Sequence, residues 1–211
     1  MRGLRGGGLA LACVALLSLV AGEARGDTVI VALGDSLTAG LGVAPDEAYP
    51  ARLEQRLRRE GYPYRVINAG VSGDTTAGGL RRVDWVLRSG PEIVIVALGA
   101  NDGLRGQSPQ AMRANLEAIV ARLQSARARV LLAGMRLPPN YGAEYTTQFE
   151  AVFPAVARSA KIALVPFLLD GVAADPRLNQ PDGIHPTAEG QRRLAETVWK
   201  HLQPMLGSSS L

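Results

Sequence analysis

The chain of 211 residues is 47 % apolar and 20 % charged, with a formal charge of +4 at pH 7. That apolar content excludes a disordered chain and suffices for one domain with a sizeable core. Three of the 23 Lys/Arg and one of the 19 Asp/Glu lie in residues 1–26, so residues 27–211 carry a net +2. This field is weak, and no Lys/Arg run is interleaved with aromatics, so nucleic acid is not an expected partner. Arg56, Arg58 and Arg59 read as the solvated face of a helix.

The chain opens on Arg2 and Arg5, then runs uncharged through residues 9–21, and small residues follow around Glu23 and Arg25. This is a secretory signal in form. Cleavage is expected after Ala24 or Gly26, leaving 27–211 as a single domain in the periplasm or outside the cell, with no stable membrane insertion. The rival reading is an uncleaved anchor, but the uncharged run is short of the about 20 residues that span a bilayer. Cys13 lies in this leader, and Ala10 three residues before it does not make a lipobox. The mature domain then has no cysteine and rests on its core alone.

Residues 28–33 are apolar and β-rich and read as a first strand. Residues 47–60 carry Tyr49, Leu53 and Leu57 at helical spacing, and Gly61 stands where a C-terminal cap belongs. A second strand is expected over 64–68 and a helix over 75–89, closed by Gly90-Pro91. The continuous apolar run IVIVAL at 93–98 predicts a strand buried on both faces. Ser108-Pro109 opens the next helix as N-cap and first-turn proline, with Met112, Leu116, Ile119, Val120 and Leu123 as its inner stripe. A fourth strand over 130–133, a helix ending near Ser159 and a fifth strand over 162–165 follow. Leu194, Ala195, Val198, Trp199 and Leu202 stripe a final helix, and the tail from Gly207 is expected to fray. Strands alternating with helices predict βαβ units. The expected fold is a three-layer α/β/α sandwich around a parallel sheet of about five strands.

Ligands of an open parallel sheet bind beyond the carboxyl ends of its strands. At those ends stand Gly34-Asp35-Ser36, Asn68-Ala69-Gly70, Gly99-Ala100-Asn101-Asp102, the stretch 137–142 and, farther on, Asp182-Gly183-Ile184-His185-Pro186. Each alone reads equally well as a turn; together they make a site. Serine needs a base to act as a nucleophile. His201, near the end of the last helix, reads as a surface residue that complements the helix dipole. His185 lies three residues after Asp182, a spacing that lets the carboxylate reach Nδ1 and leaves Nε2 for Ser36, the logic of a Ser-His-Asp triad. Ser36 and Gly70 offer backbone N–H groups, and Asn101 a side-chain amide, to a developing oxyanion. One histidine in this loop and no cysteine in the domain are too few for a zinc site, so no metal and no cofactor is expected. The Gly34 loop also lacks the GxxxxGK[ST] pattern of a phosphate cradle.

The blocks GDSLTAG (34–40), NAGVSGDTT (68–76), GAND (99–102) and DGIHP (182–186) resemble, in order and across nearly the whole mature chain, those of the SGNH hydrolases of the GDSL esterase/lipase superfamily. The resemblance implies a flavodoxin-like SGNH fold. It also implies Ser36 as nucleophile, Asp182 and His185 as its triad partners, and the Ser36 amide, Gly70 and Asn101 as oxyanion donors. The stretch MRLPPNYGAEYTTQFEAVFP (135–154) is similar to the secreted bacterial branch of multifunctional thioesterases, lysophospholipases and arylesterases. In that branch the loop matching 137–142 borders the acyl groove, which makes Leu137, Pro138, Pro139, Asn140 and Tyr141 candidate substrate contacts; a plain structural linker is the other reading of this loop. The expected activity is hydrolysis of small-molecule carboxylic esters and thioesters of acyl chains by a monomer. A carbohydrate O-deacetylase of the same superfamily is the alternative, and a non-catalytic secreted binding module a third.

Overall fold

A computed structural model describes residues 28–207. The expected leader and the expected frayed tail beyond Gly207 lie outside the described residues. The chain runs β1 (Thr28–Gly34), α1 (Ser36–Ala39), α2 (Tyr49–Arg59), β2 (Tyr64–Gly70), α3 (Thr76–Leu87), β3 (Ile93–Ala97), α4 (Ala100–Leu104), α5 (Pro109–Ser125), β4 (Arg129–Ala133), α6 (Ala143–Ala160), β5 (Ala163–Val165) and α7 (Ala188–Leu202). Single 3₁₀ turns cover Pro139–Tyr141 and Gln203–Met205. No helix among the described residues is long and apolar enough to cross a membrane.

The five strands form one parallel sheet in the order β2-β1-β3-β4-β5. Ile93, Val94, Ile95 and Val96 are fully buried in β3, as are Ile30, Ala32 and Leu33 in β1. Each buried Val, Leu or Ile side chain among them contributes about 1.5–3 kcal/mol when taken out of water. Helices α3 and α6 each pack against α5, and α2 packs against α7, so that the sheet is flanked by helices. The helix starts follow capping chemistry. Ser108, Thr75 and Thr187 accept from the amides of Ala111, Gly78 and Gly190, three residues on in each case.

The register of the sheet creates the site. Gly34 at the end of β1 pairs with Gly70 of β2 on one side and with Ala97 of β3 on the other. The chain leaves β1 for β2 at one edge and then crosses to β3 on the opposite side. The carboxyl ends of β1 and β3 are therefore the topological switch point where an open α/β sheet forms its crevice. The segments carrying Ser36, Gly70 and Asn101 all leave the sheet at this level.

Candidate active site

Ser36 is the first residue of α1, a four-residue helix. The preceding Asp35 caps it, its Oδ1 accepting from the Leu37 amide at 3.0 Å. The helix is fastened from below. Gln191 of α7 donates to the Leu37 carbonyl at 3.1 Å and accepts from the Tyr49 amide at 2.9 Å, while the Thr38 and Tyr49 hydroxyls stand 3.1 Å apart. Burial pushes Asp35 up to about 6 from an ordinary 3.8; the Leu37 amide and His185 oppose this shift without cancelling it.

Across the edge, Asp182 folds the loop before α7 on itself. Its Oδ1 accepts from the amides of Ile184 and His185, both at 3.0 Å. Its Oδ2 stands 2.8 Å from His185 Nδ1. The two amides, His185's first, and then the imidazole hold the Asp182 carboxyl down at about 2. His185 Nε2 lies 2.9 Å from Ser36 Oγ. Residues 149 apart in sequence are thus joined in one hydrogen-bonded chain, Asp182–His185–Ser36. His201 lies in the last turn of α7, about 20 Å along the helix axis from the first residue of that helix, and joins no bond of this chain.

Of the remaining expected donors, Asn101 lines the same cleft as Ser36 and His185, while Gly70 stands against the backbone of α1 and does not line it; each has an internal acceptor. Gly70 donates its amide to Asn68 Oδ1 at 2.9 Å. Asn101 donates through Nδ2 to the Asp74 carbonyl at 3.0 Å and, at a long 3.4 Å, faces Asp35 Oδ2. Gly70 has to be glycine, because a Cβ there would stand 2.2 Å from the Ala39 amide nitrogen of α1. Asp102, beside Asn101, does something different. It is buried and takes both the amide (2.9 Å) and the hydroxyl (2.5 Å) of Thr76, which locks α4 to the start of α3.

A cleft of about 380 Å³ opens beside Ser36 and His185, walled mainly by apolar side chains. Leu137, Pro138 and Pro139 line it. Asn140 and Tyr141 do not. The 3₁₀ turn carries them past the wall, where Asn140 is exposed and the Tyr141 hydroxyl donates to the Leu104 carbonyl at 3.1 Å. Phe167, Leu169, Ala173 and Ala174 also line the cleft and come from the irregular chain after β5, a region in which the sequence reading named no residue. The only signal there was its apolar content without periodicity. Arg136 also lines the cleft, its guanidinium 5.0 Å from the Phe167 ring centre and 3.8 Å from Glu150.

Comparisons with known proteins show the family and the fold. The sequence model of the GDSL-like Lipase/Acylhydrolase family matches residues 32–193. The chain is 46 % identical over 195 residues to Esterase TesA of Pseudomonas aeruginosa, an alignment covering 92 % of this chain and 96 % of that protein. It is 38 % identical over 196 residues to Thioesterase 1/protease 1/lysophospholipase L1 of Escherichia coli, covering 92 % of each. A crystal structure of TesA matches the fold with a TM-score of 0.83 at 46 % identity, covering 85 % of this chain and 100 % of that one. The chain therefore belongs to the GDSL-like lipase/acylhydrolase family and is a serine esterase built on the SGNH hydrolase fold.

Proposed function

We propose that Ser36 is the nucleophile, His185 the general base and Asp182 the carboxylate that orients it. The observation carrying this reading is the continuous chain from Asp182 Oδ2 through His185 to Ser36 Oγ, with links of 2.8 and 2.9 Å, at the mouth of an apolar cleft. His185 Nε2 takes the Ser36 proton as Oγ attacks the carbonyl carbon of an ester or thioester. Asp182 stays ionised and stabilises the imidazolium. The negative charge on the carbonyl oxygen is met by the Ser36 and Gly70 amides and the Asn101 side chain. For the last two it replaces the internal acceptors Asn68 Oδ1 and the Asp74 carbonyl. The tetrahedral intermediate collapses as His185 hands its proton to the departing alcohol or thiol, leaving an acyl-Ser36. Water, deprotonated by His185, attacks that acyl group and the cycle closes with release of the carboxylic acid.

The apolar walls around Leu137, Pro138 and Pro139 suit an acyl chain rather than a sugar, so the substrates are medium or long acyl esters and thioesters. Every group in this mechanism comes from one chain, so the reaction needs no second copy, and the protein is read as a monomer. Residues 1–26 are read as a secretory leader and 27–211 as the mature domain, acting in the periplasm or outside the cell. The test is turnover of p-nitrophenyl esters of increasing acyl length and of a long-chain acyl-CoA, with Ser36→Ala as control. Serine-dependent turnover extending to medium or long chains is the expected result. Activity confined to acetyl esters would overturn the acyl-chain assignment, and unchanged turnover in Ser36→Ala would overturn the mechanism.

A further inference from the structure

Arg82 lies on α3 outside the cleft wall, and nothing in the mechanism above uses it. Its guanidinium nonetheless touches two of the three segments from which the oxyanion donors come, and reaches the third through Asp74. Nη2 donates to the Gly34 carbonyl at 2.9 Å, two residues before Ser36. Nη1 donates to the Ala69 carbonyl at 2.7 Å, one residue before Gly70. Nε donates to Asp74 Oδ2 at 2.7 Å, and the carbonyl of that same Asp74 receives the Asn101 side chain at 3.0 Å. The ion pair is largely shielded, with side chains 19 % and 10 % exposed. The surroundings are cut to fit it. A Cβ at Gly78 would fall 1.7 Å from Asp74 Oδ1, so the carboxylate holds its place only beside a glycine. Asp74 Oδ1 also takes the Thr75 amide at 3.1 Å, which fixes the loop between β2 and α3.

We propose that Arg82 is the positioning residue of the oxyanion hole. Gly34 and Ala69 lie at the ends of two neighbouring parallel strands, and the rigid fork of a guanidinium sets the spacing of their carbonyls in a way an ammonium cannot. Through Asp74 the same group sets where the Asn101 amide stands. Arg82 touches neither substrate nor nucleophile; it acts through the donors. The proposal rests on the assignment of Ser36, Gly70 and Asn101 made above.

The experiment compares kcat and KM of Arg82→Lys, Asp74→Asn, Asn101→Ala and the double variant Arg82→Lys/Asn101→Ala on one p-nitrophenyl ester. Thermal unfolding and near-UV circular dichroism establish which variants are folded. Arg82→Lys keeps the charge facing Asp74 and loses the fork, and Asp74→Asn keeps the shape and loses the ion pair, so one serves should the other fail to fold. Displacing a catalytic donor by a fraction of an ångström to 1 Å costs up to about 10²-fold in rate. The expected result is a fall in kcat of about that size in the folded single variants with KM nearly unchanged, and a several-fold smaller effect of Arg82→Lys once Asn101 is already alanine. Wild-type kcat in the folded variants, or losses at Arg82 and Asn101 that multiply independently, would overturn the proposal. Wild-type kcat in Asn101→Ala would instead overturn the oxyanion assignment beneath it.

Discussion

The segment carrying Ser36 is nearly closed to solvent, with Asp35 1 % exposed, Ser36 9 % and Thr38 0 %. The segment carrying His185 is open, with the Asp182 side chain 46 % exposed and Gly183 and Ile184 exposed beside it. The first is held by the core: β1 beneath it, and Gln191 and Tyr49 reaching up from α7 and α2. The second is held by local hydrogen bonds. These are the turn on Asp182 Oδ1, the Gln180 amide on the His185 carbonyl at 2.7 Å, and the Gln180 side chain on the carbonyls of Leu41 and Pro186 at 2.7 and 2.9 Å. The nucleophile is thus held by the packed core, and the base by the hydrogen bonds of an exposed loop. Damage on the two sides should therefore read out differently, as stability on one and as rate on the other.

The largest expected effect is on the open side. His185→Ala should lower kcat by about 10⁶-fold, and Asp182→Asn by about 10⁴-fold, with thermal unfolding almost unmoved. A large loss of stability in either would break the contrast, since it would make this loop part of the core. Asn101→Ala should cost about 10²–10³-fold in kcat, measured against KM on a single ester.

On the closed side the effect is one of stability against pH. Burial raises Asp35 from 3.8 to about 6, so between those values the folded chain keeps a proton that the unfolded chain has released. Stability therefore falls as pH rises through that window and levels off above it, by up to about 3 kcal/mol. Asp35→Asn retains an oxygen to cap Leu37. Urea unfolding from pH 4 to pH 8 should show this slope in the parent chain and not in the variant; equal slopes would remove Asp35 as its source. The smallest effect belongs to Gln180→Ala. Loss of its two side-chain hydrogen bonds weakens the hold on the His185 loop by about 1 kcal/mol, which corresponds to about fivefold in kcat with KM little changed.

Much of this frame was legible from residues alone. The run IVIVAL announced a buried parallel strand because no alternation interrupted it, and Ser108-Pro109 announced a helix start because cap and first-turn proline act locally. Ser36, His185 and Asp182 were legible because a serine nucleophile needs a base and that base needs an orienting carboxylate. Helices α1 and α4 were not foreseen; at four and five residues they are shorter than the window in which helical periodicity shows. The cleft wall from Phe167 to Ala174 was not foreseen because it has no regular structure to leave a pattern. Arg82 falls within the helix expected over 75–89, and nothing in the sequence sets it apart there. Its partners, Gly34, Ala69 and Asp74, are backbone and side-chain oxygens that only the register of the sheet brings to it. The acceptor on Asn101, the Asp74 carbonyl 27 residues away, was hidden for the same reason, whereas the acceptor on Gly70 is the side chain of Asn68 two residues before it.

The most direct test of the central claim is to treat the purified chain with a serine-reactive fluorophosphonate and read the adduct by intact and peptide mass. The account predicts one adduct, on Ser36, formed with loss of esterase activity, absent from Ser36→Ala and strongly slowed in His185→Ala. An adduct on another residue, or labelling that persists in Ser36→Ala while activity is lost, would contradict it.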